Sequence, residues 1–317
     1  LIRGTSSLLG IRTDLQFGKL KLSTIIAQKK SATSSVQTKG GVQLSSFEFS
    51  ADDYDENRHF FLAQYFREHY DENMAQLPNI LSGITINRVE VWVTNKTGQT
   101  TNTRNVIALT DLGEASKIHN SMWTGGSVLV PANAANTSYN TVSGINGVRN
   151  ISTATSALDG FGLTGGVDYE KLESARLLSP SEYKVNAALG YISLRSALQP
   201  DQVLAVAFEY TYRGTNYQVG EFSTDRKDNT ETLLLKSLKN TANSPSQGNW
   251  DLMMKNVYAL GASNVQKEKF RLDVKYLSDT TGVYLNYLPE PTLKDKRLIQ
   301  LLGLDRLDNN NKRNSNA

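Results

Sequence analysis

Val203-Leu204-Ala205-Val206-Ala207-Phe208-Glu209-Tyr210-Thr211-Tyr212-Arg213-Gly214 decides the fold class. In it Leu204, Val206, Phe208, Tyr210 and Tyr212 alternate with Ala205, Ala207, Glu209, Thr211 and Arg213 before a glycine turn. A period of two sends successive side chains to opposite faces of a strand, so the segment predicts a strand with one buried face. Tyr183–Ala187, a turn at Gly190, Tyr191–Leu194 and Tyr217–Phe222 supply partners, and residues 166–228 together predict a small β-sandwich.

Toward the N-terminus, Ile84–Thr94 and Arg104–Leu112 read as strands that pair antiparallel across the polar stretch Asn95–Asn102. Before them Ser50 stands as a helix N-cap with Asp53 three residues on. A long helix over 51–77 is expected from there, with Tyr54, Phe61, Leu62, Tyr65, Phe66 and Met74 on one side and Pro78 as its end. Residues 31–115 therefore read as an α+β region. Residues 1–30 read as a β-hairpin, with Leu9, Ile11, Thr13, Leu15 and Phe17 on one face before Phe17-Gly18-Lys19, then Leu20, Leu22, Thr24 and Ile26. Each arm matches the roughly 9 to 11 residues of a tilted membrane strand, and a soluble hairpin has the same pattern.

Residues 116–165 carry only Lys117, Arg149 and Asp159 as formal charges and are rich in Gly, Ser, Thr and Asn. Composition alone predicts an insertion loop with little core and a natural boundary, so deleting it should leave the flanking β regions folded. Residues 229–317 read as a mixed segment: apolar Leu233–Leu238, a helix over Trp250–Leu260 closed by Gly261, a strand through Phe270, Leu272, Val274 and Tyr276, a short helix at Leu298–Leu302 closed by Gly303, and a loose Asn-rich tail. No fixed-period repeat is present. The resulting fold class is α+β, mainly antiparallel β, with β-sandwich-like regions and a few helices.

The chain has 317 residues, 39% hydrophobic and 21% charged, the balance of a globular protein. A net charge of +3, from 34 Lys+Arg against 31 Asp+Glu, gives no basic footprint for nucleic acid. The absence of cysteine removes disulfides, thiolate metal sites and cysteine nucleophiles. No apolar run reaches the roughly 18 residues of a membrane helix. A start at Leu1 and the ending Asn311–Ala317 suggest a piece of something longer.

Catalytic chemistry finds no footing. Of the three histidines, His59, His69 and His119, no two stand four apart as a helical zinc pair would require. The acidic run Asp52-Asp53-Tyr54-Asp55-Glu56-Asn57 falls where the helix is expected to begin, where carboxylates complement the dipole and free amides. Gly160-Phe161-Gly162-Leu163-Thr164-Gly165 has the glycine spacing of a phosphate cradle without a strand–helix unit around it. Asp305–Lys312 lacks the glycine turn and terminal glutamate of a calcium loop, and leaves calcium open. Among the tryptophans, Trp92 lies in a strand and Trp250 starts a helix, which leaves Trp123 in the polar loop as the exposed aromatic and the candidate partner contact. The reading is a non-enzyme with no catalytic, cofactor or metal residue. An extracellular carbohydrate- or peptide-binding β module, with Trp123 in its site, is the alternative.

Several co-linear strings carry a resemblance: Leu1–Gly10, Tyr54–Arg67, Asn87–Lys96, Thr103–Val106, Asp111–Glu114, Val203–Tyr212, Tyr217–Ser223 and Trp250–Asn256. Together they resemble the SprA (Sov) family, the outer-membrane translocon of type IX secretion and gliding motility, outside residues 116–165. The resemblance implies an internal segment of a very large β-barrel that exports folded cargo, with no catalytic residues to carry over. It also implies partners: other segments of the same barrel, a shuttle protein on the extracellular side, a periplasmic plug and the secreted cargo. Outer-membrane barrels keep short turns periplasmic. Under the resemblance residues 1–30 become barrel strands, and residues 31–317 become an insertion on the extracellular side that caps or lines the pore.

Overall fold

The computed structural model of the protein describes residues 8–17, 20–29, 46–76, 79–262, 265, 270–293 and 295–305. The chain forms two compact units: one of Leu1–Ala51 with Leu260–Val265, the other of Asp52–Ala259 with Gln266–Ala317.

In the first unit β1 (Leu8–Phe17) and β2 (Leu20–Lys29) pair antiparallel in unbroken register from Phe17↔Leu20 to Leu8↔Lys29. Because Leu15 stands opposite Leu22 and Ile11 opposite Ile26, the two apolar rows read from the sequence share one face. The expected turn residues Gly18 and Lys19 lie outside the described residues.

In the second unit the order is β3 (His59–Phe61), α1 (Gln64–Glu68), α2 (Tyr70–Asn73), β4 (Ile84–Val93), β5 (Thr103–Leu109), α3 (Ser138–Gly144) and α4 (Ile151–Phe161). After these come β6 (Tyr169–Leu177), β7 (Tyr183–Asn186), β8 (Tyr191–Leu194), β9 (Leu204–Tyr212), β10 (Thr215–Val219) and β11 (Leu233–Lys239). A 3-10 turn at Trp250–Leu252, β12 (Tyr276–Leu277), β13 (Tyr284–Leu285) and α5 (Leu298–Leu301) complete it.

β9 is the hub. It runs antiparallel to β4 from Leu204↔Val93 to Tyr212↔Ile84. Its other side meets β11 at its start and β10 at its end. β11 is parallel to β5, β5 antiparallel to β6, and β6 returns to β4 through Leu177↔Trp92 and Arg176↔Val93. The sheet therefore closes into a five-strand barrel, with β10 added at one end. So few strands enclose little volume. Accordingly the smaller of two alternating rows, the barrel interior, is built of Ala108, Ala175, Ala205 and Ala207 around Trp92, with Val106, Leu172, Leu233 and Leu235. The opposite row (Val91, Ile107, Leu204, Val206, Phe208, Tyr210, Leu234) packs under helices and loops. The expected α+β, mainly antiparallel class is present, and β9 buries both of its faces over Leu204–Phe208 rather than one.

Several element expectations differ from what forms. β4 and β5 do not pair with each other, because β6 lies between them. The residues expected in one sandwich divide: β6, β9 and β10 join the barrel sheet, while β7 and β8 form a second sheet with β3. The helix expected over 51–77 is replaced by β3, α1 and α2. Asn57 takes a left-handed φ of 59° and Leu62 N–H donates to the Gly190 carbonyl, so tertiary pairing overrides local helix tendency. Gly190 itself is required: at φ +67° it lies so close to Phe66 that an added Cβ would fall 2.4 Å from the ring.

The segment 116–165 is not a loose loop. It contributes α3, α4 and buried Trp123, Val142, Val148, Ala154, Leu158 and Leu163 to the main core. Its residues therefore belong to the main core, and deleting it should destabilise the unit rather than leave the flanking β regions untouched. Trp250–Leu260 supplies one 3-10 turn, after which Met253 bridges to Phe60. Of the strand expected through Phe270–Tyr276, only Tyr276 belongs to a strand among the described residues. The apolar run Leu233–Leu238 is a strand, β11, and α5 with Gly303 at φ 68° forms near its expected place.

Candidate functional site

A groove of about 520 Å³ lies where α1 and α2 face the segment after the 3-10 turn. Phe61, Met253 and Met254, all nearly buried, lie among its lining, with charged Arg67, Glu68, Asp71, Asp251 and Lys255. Lys255 places its Nζ 4.4 Å from the centre of the Trp250 ring. It also donates to the carbonyls of Trp250 (2.8 Å) and Met253 (3.1 Å). Burial holds its pKa below the usual lysine range. Arg67 approaches Asp251 at 3.8 Å.

Beside the groove lies a buried ion pair. Lys236 Nζ on β11 sits 2.8 Å from Glu114 Oε1, the side chains 0% and 2% exposed. The Glu114 carboxylate also accepts the backbone N–H of Gln64 at 3.0 and 3.2 Å. Gln64 opens α1, whose own N-cap residue Ala63 offers no side-chain acceptor, so Glu114 caps this helix from 50 residues away. Lys236 donates to the Thr110 carbonyl (2.8 Å), and Asn136 Nδ2 binds the carbonyls of Asp111 and Glu114 (both 2.8 Å). Burial pushes the Glu114 carboxyl up, against the opposing pull of Lys236 and the Gln64 amide.

A second network ties the helical insertion to the barrel. Arg149 makes a two-pronged contact with Glu221 (2.7 and 2.8 Å), and Arg226 and Tyr139 reach the same carboxylate at 2.9 and 3.0 Å. Leu234 N–H adds a fifth donor at 3.0 Å.

Trp123, the expected exposed aromatic, is only 7% exposed and stacks on Phe161 with ring centres 6.4 Å apart. The polar composition around it disguised a core residue. Trp92 fills the barrel interior, with its indole Nε1 lacking a hydrogen-bond partner. The acidic run caps no helix: Asp55 binds Arg58 (2.9 Å) and His59 (3.1 Å), and His59 also meets Ser193 Oγ at 2.8 Å. His69 contacts the Tyr65 carbonyl, and His119 uses its backbone N–H on Asp111. Gly162 is the left-handed C-cap of α4, which explains the glycine spacing there as a helix end. Asp305 is buried, and the rest of Asp305–Lys312 lies outside the described residues. Among the described residues no three His, Cys, Asp or Glu side chains are grouped to hold a metal.

The sequence reading missed Glu114, Lys236, Glu221 and Arg149. For Lys236 a signal was present, a lysine inside the apolar strand Leu233–Leu238. A charge in such a run requires a buried partner.

Fold and site define a mainly antiparallel α+β domain around a small closed barrel, whose buried charges serve to join elements. Its sequence matches the family described as motility related/secretion protein (SprA_N) over residues 3–198. The chain belongs to that family. No curated protein matches the chain. Among the described residues no helix is long and apolar enough to cross a membrane, a fact that does not bear on β-barrels.

Proposed function

We propose that the chain is a structural, non-catalytic segment of an outer-membrane translocon of type IX secretion and gliding motility. In this reading β1 and β2 are two strands of the membrane barrel, and the unit from Asp52 onward is an extracellular insertion that caps or lines the pore. The observation that carries it is the hairpin. Its arms are ten residues each in unbroken register, the length of a tilted membrane strand. Membership of a motility- and secretion-related family supports the same assignment.

Export of folded cargo then depends on shape. A unit built on a closed barrel, cross-linked by the buried Glu114–Lys236 pair and by the Arg149–Glu221 contact, presents a firm wall to a passing protein, and other barrel segments, a shuttle protein outside and a plug in the periplasm are its partners. The carbohydrate- or peptide-binding alternative relied on an exposed Trp123, which the fold buries.

Sidedness tests the reading. The chain contains no cysteine, so Lys184→Cys on exposed β7 introduces a unique thiol. Intact cells producing the protein should label there with a membrane-impermeant maleimide. Labelling only after lysis would overturn the extracellular placement.

A further inference from the structure

We propose that the Glu114–Lys236 pair is a conformational lock that couples the groove to the barrel: losing one of its two charges, with the other left stranded, releases the start of α1 and the arm 111–136 together, while the barrel stays closed. One carboxylate joins three parts of the chain. Lys236 belongs to barrel strand β11, the Gln64 amide begins α1, and the Glu114 main chain is held by Asn136. Both charges are fully withdrawn from water, so removing one leaves the other without compensation.

The parts being held are weak by themselves. α1 has five residues and lacks a local cap, and so short a helix does not persist without tertiary support. The barrel has its own cohesion, because β4 and β9 pair from Ile84↔Tyr212 to Val93↔Leu204 and the interior is filled by apolar side chains packed around Trp92. Arg67 and Glu68 ride on α1 and line the groove, so its shape depends on this pair. Phe66, buried against Phe208 and Tyr210, and the Gln64 side chain, which donates to the Gly248 carbonyl, also anchor α1 and keep the released state a minor one in the native protein.

Hydrogen exchange on the full chain tests this. In Glu114→Gln, amides of 64–73 and of 111–136 should exchange faster by about tenfold or more, to the same extent, with β4 and β9 amides unchanged. The double variant Glu114→Gln/Lys236→Met should return both segments toward native protection, because it removes the stranded charge. Should Glu114→Gln fail to fold, Lys236→Met carries the test. It leaves a carboxyl that burial already moves toward its neutral form, and the same joint pattern is expected at lower amplitude. Acceleration spread over the barrel strands, confined to one of the two segments, or absent would overturn the lock.

Discussion

Glu221 shows how one side chain carries an interface. Burial alone would raise its pKa, yet Arg149, Arg226 and the Leu234 amide together hold the carboxyl below the usual glutamate range. A carboxylate depressed in the folded state contributes stability that is fully present above its unfolded value of about 4.3 and is lost as pH falls through the folded value. Glu221→Gln should therefore cost about 3 kcal/mol at neutral pH, since two arginines lose their anion. It should also flatten the acid limb of a urea-midpoint-against-pH curve. An unchanged acid limb would show that Glu221 does not govern it. Of its two arginine partners, Arg226 stands five residues away, but Arg149 is 72 residues away and could not be paired with Glu221 by spacing.

Among the elements, α4 separates what composition says from what folding does. Its residues look like linker, yet Asn150 caps its start by accepting the Ser152 amide, Gly162 closes its end at φ 100°, and Ala154 and Leu158 are fully buried one turn apart. Leu158→Ala should lower stability by about 3 kcal/mol with a single cooperative urea transition. A loss below about 0.5 kcal/mol would return the segment to the status of a loop. Both caps were legible in the sequence, as Asn150 and Gly162 at the two ends of an eleven-residue span. Low charge and abundant Ser and Thr obscured them. The strands were legible for the opposite reason, since alternation at Leu204–Tyr212 survives any choice of partner. The partners were not: β5 takes β11 in parallel and β6 antiparallel, and two residue pairs between β4 and β6 close the barrel. Periodicity records which face is buried and carries no record of which strand covers it. The helix expected over 51–77 failed on the same ground, because the aromatic residues around Phe61 are drawn into sheet and core contacts that local spacing cannot encode.

At the scale of the whole molecule, one chain carries both a hairpin of membrane length and a unit with its own closed barrel and core. The family ties the chain to motility and secretion. The step from there to a translocon rests on where β1 and β2 lie. The absence of cysteine makes single-site labels unambiguous. In the register of the hairpin, Leu9, Ile11 and Leu15 share one face, and Arg12, Asp14 and Gln16 the other. The deciding measurement is the quenching, by lipid-borne nitroxides, of a fluorophore placed in turn at each of these six positions, with the protein reconstituted in bilayers. Membrane strands predict strong quenching at Leu9, Ile11 and Leu15 and weak quenching at Arg12, Asp14 and Gln16. Uniformly weak quenching, with no alternation along the strand, would contradict the translocon assignment.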